Sequence, residues 1–398
     1  MYDIIIIGGG ISGFYCALEL IKHNKKICIC EKYKDLGGRV STYNKDGYMW
    51  EMGAGRISKD HTMVLDLMKK YNQPIYEIDS NLHFMDVCLE ENIFEDLLKT
   101  YIYPLKNLDK HILANHTLRE LCTQIYGKEK TDQFLIRFPY RAEVDVLRAD
   151  LALESFSKEM KSHKGFYVAK NGLSNLIEEM KKDFLSKNGE IFTHYKCESI
   201  CDKKEYIECE FTNNVVLKGK KLICAMESEA LKKIKFFDNF TTLKHLKMEP
   251  LLRTYAVYPS GWFSDYTRIV TPNPIRYFLP ISYDKHIAMV SYTDSYDTNK
   301  FHSILKKYDE QSLGKHIQNE LKTLFGNIPN FTYFKAHYWP RGATYWLPGN
   351  YNPIEESKKS LKPFECDVYV VGESFSLKQA WMEGSLLQCK KLLDTYRL

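Results

Sequence analysis

Residues 2–39 read YDIIIIGGGISGFYCALELIKHNKKICICEKYKDLGGR, and this stretch decides the fold. Isoleucine fills positions 4–7, which gives the length and β-branched content of a buried parallel strand. The run passes directly into Gly8-Gly9-Gly10-Ile11-Ser12-Gly13, a G-x-G-x-x-G pattern. In such a turn Gly8 permits the tight bend, Gly10 admits a pyrophosphate close to the backbone, and Gly13 lets the next helix pack on the strand. The helix then begins, and its free N–H groups, with Ile11 and Ser12 in the turn before it, face the phosphates. Its apolar residues Phe14, Ala17, Leu18, Leu20 and Ile21 have helical spacing, and Asn24 is a stop. A second strand over 26–30 ends at Glu31 and Lys32, about twenty residues past the glycines, where an acid accepts from ribose hydroxyls. Glycine clusters also form ordinary turns, so a βαβ unit without a ligand is the alternative. Strand, glycines, helix, second strand and terminal acid in this order favour a dinucleotide site.

NAD and FAD both fit this unit. The next residues separate them: Gly37-Gly38-Arg39, Gly47, then Glu51-Met52-Gly53-Ala54-Gly55-Arg56. A second glycine pair with a fixed arginine suits the longer, buried FAD, which takes additional backbone and cationic contacts.

These motifs, the block GGRVSTYNKDGYMWEMGAGRI and two blocks near the C-terminus resemble the flavin-containing amine oxidoreductases, a family that includes monoamine, polyamine and amino-acid oxidases and lysine-specific demethylases. The resemblance implies that Gly38 and Arg39 contact the FAD phosphates, and that Gly53, Ala54, Gly55 and Arg56 lie beside the isoalloxazine. It places Cys197 where backbone groups pair with the adenine edge. Arg253 falls at the position of a lysine that holds a water against flavin N5. Arginine stays protonated and has a wide planar head, so it holds a water, binds a carboxylate or is a plain core-edge residue, and Lys247 is the alternative for that position. Trp339-Pro340-Arg341-Gly342 resembles a W-x-R-G block whose tryptophan flanks the flavin, with Thr344 or Tyr345 at one aromatic-cage position. In Gly372-Glu373 the acid accepts from FAD hydroxyls, and Trp381 takes the second cage position. The N–H of Met382 and the helix behind it face flavin N1–C2=O, where negative charge develops on reduction. No cysteine lies between Cys224 and Cys366, so FAD is expected to be noncovalent.

Composition describes a globular enzyme: 398 residues suffice for two intertwined domains, and a net charge of +5 without a basic run does not suggest nucleic acid. The 11 cysteines show no metal-ligand spacing, and their odd number in a chain without a signal peptide predicts reduced thiols and a cytoplasmic protein. No run of 18 apolar residues occurs and no anchor follows the last motif, against a membrane tether.

Along the chain, a helix is expected over 60–71 and a largely helical segment over 75–165, including NIFEDLLKTYIYPLKNLDKHILANHTLRELCTQIYG. Arg141 and Arg148 lie there, each within reach of a substrate or, more simply, in a surface salt bridge. A helix over 174–184 precedes a strand over 190–195. Strands over 206–211 and 215–217 form a hairpin around Asn213-Asn214, followed by a separate strand over 221–225. Strands over 277–280, 288–292 and 332–337, with a helix over 303–325, suggest an antiparallel sheet. The fold class is therefore α/β. A Rossmann-type FAD domain of residues 1–75, 165–245 and 336–398 is joined to an α+β substrate domain of 76–164 and 246–335.

By the resemblance, the activity is FAD-dependent amine oxidation. A hydride passes from the α-carbon of a small amine to flavin N5, the imine hydrolyses, and O2 reoxidises the flavin with release of hydrogen peroxide. Two alternatives stay open: another oxidation on the same scaffold, of the desaturase or porphyrinogen oxidase kind, and a noncatalytic FAD-binding protein.

Overall fold

The computed structural model describes residues 1–78, 82–85, 96–138, 141–159 and 165–398. The start of the helical run expected from 92 and residues 139–140 lie outside these. The chain divides into two compact units, one of Met1–Glu77, Phe166–Met248 and Tyr351–Leu398, the other of Ile78–Gly165 and Glu249–Asn350.

The first unit is built on a seven-stranded sheet. Its strands run in the order Cys197–Asp202, Ile207–Phe211, Val216–Cys224, Tyr2–Ile7 (β1), Ile27–Cys30 (β2) and Glu190–Phe192, with Val368–Val370 also paired to Val216–Cys224. β1 is parallel to both of its neighbours, as two-sided burial of its isoleucines demands. Ile4 and Ile6 share a core with Phe14 and Leu18 of the helix Ile11–Leu20 (α1), Ile177, and Leu386 of the last helix, Met382–Tyr396. Each fully buried isoleucine contributes about 1.5–3 kcal/mol. Asn24, in the left-handed conformation at φ 54°, ends the turn after α1. A three-stranded sheet joins Ile57–Ser58, Phe166–Ala169 and Ile75–Ile78. The helix Thr62–Lys70 (α2) follows Ile57–Ser58.

The second unit carries a six-stranded sheet ordered Tyr333–Trp346, Leu246–Val257, Ile287–Asp294, Tyr277–Ser282, Arg268–Val270 and Leu82–Phe84. Leu252, Ala256, Phe278 and Val290 on one face share a core with Phe301, Leu313 and Ile317 of the helices Ser295–Lys307 and Glu310–Phe325.

Several expectations are corrected. The boundary expected at 336 falls after Asn350, because Tyr333–Trp346 is one continuous strand of the second unit's sheet. The strand lies at the sheet edge, where Pro340, lacking an N–H, is tolerated. The helix expected over 303–325 is two helices, since the carboxylate of Asp309 accepts from Ser312 N–H and starts a new one. Residues 215–217 and 221–225 belong to one strand, Val216–Cys224. Gly219 within it is no break, because a Cβ there would come within 2.8 Å of Ile5 on the neighbouring strand.

Arg141 and Arg148 are not in surface salt bridges. Arg148 is 2% exposed and pairs with Asp150 at 2.7 Å. Arg141 lies 3.4 Å from the buried Asp297, which Arg276 also holds at 2.6 Å. Beside them the carboxylate of Asp294 accepts from the N–H groups of Arg141 and Ala142 at 3.1 and 3.3 Å. Burial pushes this carboxyl up from 3.8 to about 7. The folded state therefore holds the proton more tightly than the unfolded chain. Its stabilising contribution is full below pH 3.8 and is lost as pH rises through about 7. Urea midpoints at pH 5 and pH 8 should differ less in Asp294→Asn than in the wild type. An equal difference in both proteins would refute this assignment.

Candidate active site

The turn from β1 to α1 contains glycines of two kinds. Gly8 has φ 115°, and a Cβ there would lie 2.3 Å from the carbonyl oxygen of Ala225; a Cβ on Gly13 would lie 2.0 Å from that of Gly8. Both glycines are required by packing. Gly10 is different: its φ of −85° suits any residue, and the nearest atom to an added Cβ is Gly37 O at 3.7 Å. The fold gives Gly10 no reason to be glycine, whereas a ligand approaching the backbone does. Gly10 is the N-cap of α1, and no side chain caps the N–H groups that follow at Ile11, Ser12 and Gly13. N–H groups so placed at a helix start suit an anion.

Glu31 is placed at the same turn by β2. Its carboxylate, 7% exposed, accepts from Gly9 N–H and Tyr33 N–H, each at 2.9 Å. The ammonium of Lys32 lies over the Tyr33 ring, 4.6 Å from its centre. The second glycine pair is tied to the first, since Gly37 N–H donates to Gly9 O at 2.8 Å. Gly38, at φ 59°, has open space where a Cβ would stand.

Arg39 follows, and its Nη1 donates to Glu373 Oε2 at 2.7 Å. The other oxygen of Glu373 accepts from Ala380 N–H at 2.9 Å. Gly372, at φ 133°, makes the bend that sets this acid beside the sheet. Arg39 O also accepts from Ala54 N–H at 2.9 Å, which anchors the segment of Gly53, Ala54, Gly55 and Arg56. Folding thus brings together residues more than 300 positions apart, and a cation and an anion end at one place. Cys197 begins an outer strand of the same sheet, 7% exposed. A side-chain hydrogen bond with Cys197, and then burial, hold the Cys209 thiol well above its usual range.

Trp381 is the N-cap of the last helix, directly before Met382. Its indole is parallel to the Phe166 ring at 6.3 Å and 5°, and His61 meets it edge-on at 4.8 Å. The Arg56 guanidinium lies over Phe166, 4.9 Å from the ring centre. Burial lowers His61 to about 4, so the imidazole is neutral near pH 7; its Nδ1 accepts from Ser58 N–H at 3.2 Å. Sequence reasoning missed Phe166 and His61. Neither belongs to a motif, and their only signal was proximity to the ends of the GAGRIS and FYVAKNG strands.

The remaining candidates lie in the second unit, on two neighbouring strands. Arg253, on Leu246–Val257, stacks over the Tyr292 ring at 5.2 Å. Near it, His337 lies 5.9 Å from Tyr255 and is lowered to about 4 by burial, then by the charges of Lys335 and Arg253. Trp339, Thr344 and Tyr345 lie on Tyr333–Trp346. Thr344 is fully buried and Tyr345 is 5% exposed, and as successive strand residues they face opposite ways.

Residues 11–390 match the family described as flavin containing amine oxidoreductase. The chain belongs to this family. Its cofactor is FAD, and the open Gly10, the uncapped start of α1 and the Arg39–Glu373 pair fit that group. The L-amino acid oxidase of Cerastes cerastes is 24% identical over 195 residues, which are 45% of this chain and 37% of that protein. The flavin-containing amine oxidase A of Equus caballus is 30% identical over 82 residues, 20% of this chain and 16% of that one. These matches thus span well under two thirds of the relatives' lengths. A solved structure of putrescine oxidase with putrescine bound superposes with a TM-score of 0.80 over 100% of this chain and 99% of that one, at 12% identity. A putrescine oxidase double mutant gives 0.81 over 99% and 98%, at 13% identity. These likenesses show the fold, a Rossmann-type α/β unit with an α+β unit. Among the described residues no helix is long and apolar enough to cross a membrane.

Proposed function

We propose that the protein is an amine oxidase acting on a small-molecule amine, with noncovalently held FAD, O2 as acceptor and hydrogen peroxide as product. The observation that carries this reading is Gly10, left without a side chain where the fold would accept one, at the head of an uncapped helix. In this reading the first turn of α1 holds the pyrophosphate with Gly38 and Arg39, and Glu31 holds the adenosine ribose. Cys197 meets the adenine edge, and Glu373 takes FAD hydroxyls. The backbone of residues 53–56 and the Met382 N–H border the flavin ring, while Trp381 offers an aromatic face to the amine.

When bound, FAD supplies the hydride acceptor for the amine α-carbon. The chain supplies orientation and electrostatics. A positive helix end near the ring favours the reduced, anionic form. Arg253, permanently charged and stacked on Tyr292, favours an amine that also bears a carboxylate over a diamine. The test is the visible spectrum of the purified protein, followed anaerobically while primary amines, diamines and amino acids are added in turn. Bleaching of a flavin band by one class is expected. A flavin band that dithionite bleaches and no amine does would overturn the activity and leave the cofactor.

A further inference from the structure

The turn carrying Trp381 and Met382 is stitched to the start of α2 at three points. Lys378 Nζ reaches Asp60 at 3.4 Å, His61 packs edge-on against Trp381, and Glu383 spans the N-terminus of α2. Glu383 makes the most of these contacts. Its Oε1 accepts from Met63 N–H at 3.1 Å and from the Thr62 hydroxyl at 3.5 Å, and its Oε2 accepts from Val64 N–H at 3.0 Å. The N-cap of α2, His61, gives it no side-chain cap, so the carboxylate of another helix does that work.

Glu383 is also in the first turn of the last helix, 3% exposed. One buried negative charge therefore lies between two helix N-termini, each equivalent to roughly half a positive charge. Its hydrogen bonds commit it to α2. The positive end of the last helix stays directed outward past Met382, while the carboxylate moderates its strength.

We propose that Glu383 is a positioning residue that sets the reduction potential of the bound FAD by partly offsetting the positive field at the start of the last helix. This rests on the placement of the flavin beside Met382 given above. Glu383→Gln keeps the shape and an accepting oxygen and removes the charge. The helix end then favours reduced, anionic flavin more strongly. Glu383→Asp keeps the charge and loses the reach to α2.

The test is the midpoint potential of bound FAD, titrated with dithionite against a reference dye, which needs no amine turnover. In Glu383→Gln the potential should rise by at least about 30 mV, a tenfold shift of a two-electron equilibrium. In Glu383→Asp no such rise should occur. An unmoved potential in the glutamine variant, or an equal rise in both, would overturn the proposal, since the second result follows from packing alone. If only the aspartate variant folds, a rise in its potential is sufficient to overturn it. Wild-type protein without flavin would sink the cofactor placement itself, a result distinct from an unmoved potential in flavin-loaded variants.

Discussion

Gly10→Asp should give a folded protein that carries no flavin. Gly10 adopts φ −85°, open to every L residue, and the Cβ of an aspartate would meet only Gly37 O, at the ordinary distance of 3.7 Å. Aspartate is moreover a preferred helix N-cap, and there α1 gains a few tenths of a kcal/mol over glycine, by about the usual difference. The same carboxylate occupies the space where the backbone would approach a pyrophosphate and brings like charge to it. Flavin binding and stability therefore separate. The ratio of flavin to protein absorbance should fall to background while the thermal midpoint equals or exceeds that of the flavin-stripped wild type, since bound flavin itself stabilises the folded state. Stoichiometric flavin in the variant would remove the site from this turn. Gly13→Ala is the contrasting control: its Cβ would lie 2.0 Å from Gly8 O, so it should lower the thermal midpoint as well.

Gly384→Ala should cost about 3 kcal/mol, at the upper end of what overpacking does to a core. In an exposed helix this change stabilises by about 1 kcal/mol. Here the sign reverses, because the added Cβ would lie 1.8 Å from Lys378 O and 2.8 Å from Lys378 C, and backbone cannot step aside as a side-chain tip can. To relieve the clash, the last helix must lift away from the turn of residues 376–381, which carries Ala380 at φ 64° and presents Trp381. A lower urea midpoint and a reduced flavin content should appear together. A midpoint equal to or above that of the wild type would show that the turn is not held as described.

The parts that could be read from the sequence are those in which one short segment carries all the constraints. β1, its glycines and α1 need neighbours only a few positions away, and the glycine at 13 reports a contact made within the same turn. The strand ending in Gly372-Glu373 is equally local, a short apolar run stopped by a bend. Where the constraint comes from a distant segment, the pattern was silent or misleading. Arg148 has a surface residue's charge, yet it is buried because Asp150 matches its guanidinium with two hydrogen bonds. Gly219 and Pro340 look like strand breakers, but one is demanded by Ile5 across the sheet and the other tolerated at an edge.

The same division holds in the candidate site. The amino-acid order alone determined the glycine turn after β1, the acid after β2 and the family, because the spacing within one βαβ unit is rigid. Only the tertiary structure could decide that Arg39 meets Glu373, that Phe166 and His61 flank Trp381, and that Glu383 caps a helix begun some 320 residues earlier. Those pairings depend on where strands and helices come to rest against one another, and side chains brought together by packing leave no spacing in the sequence to be read.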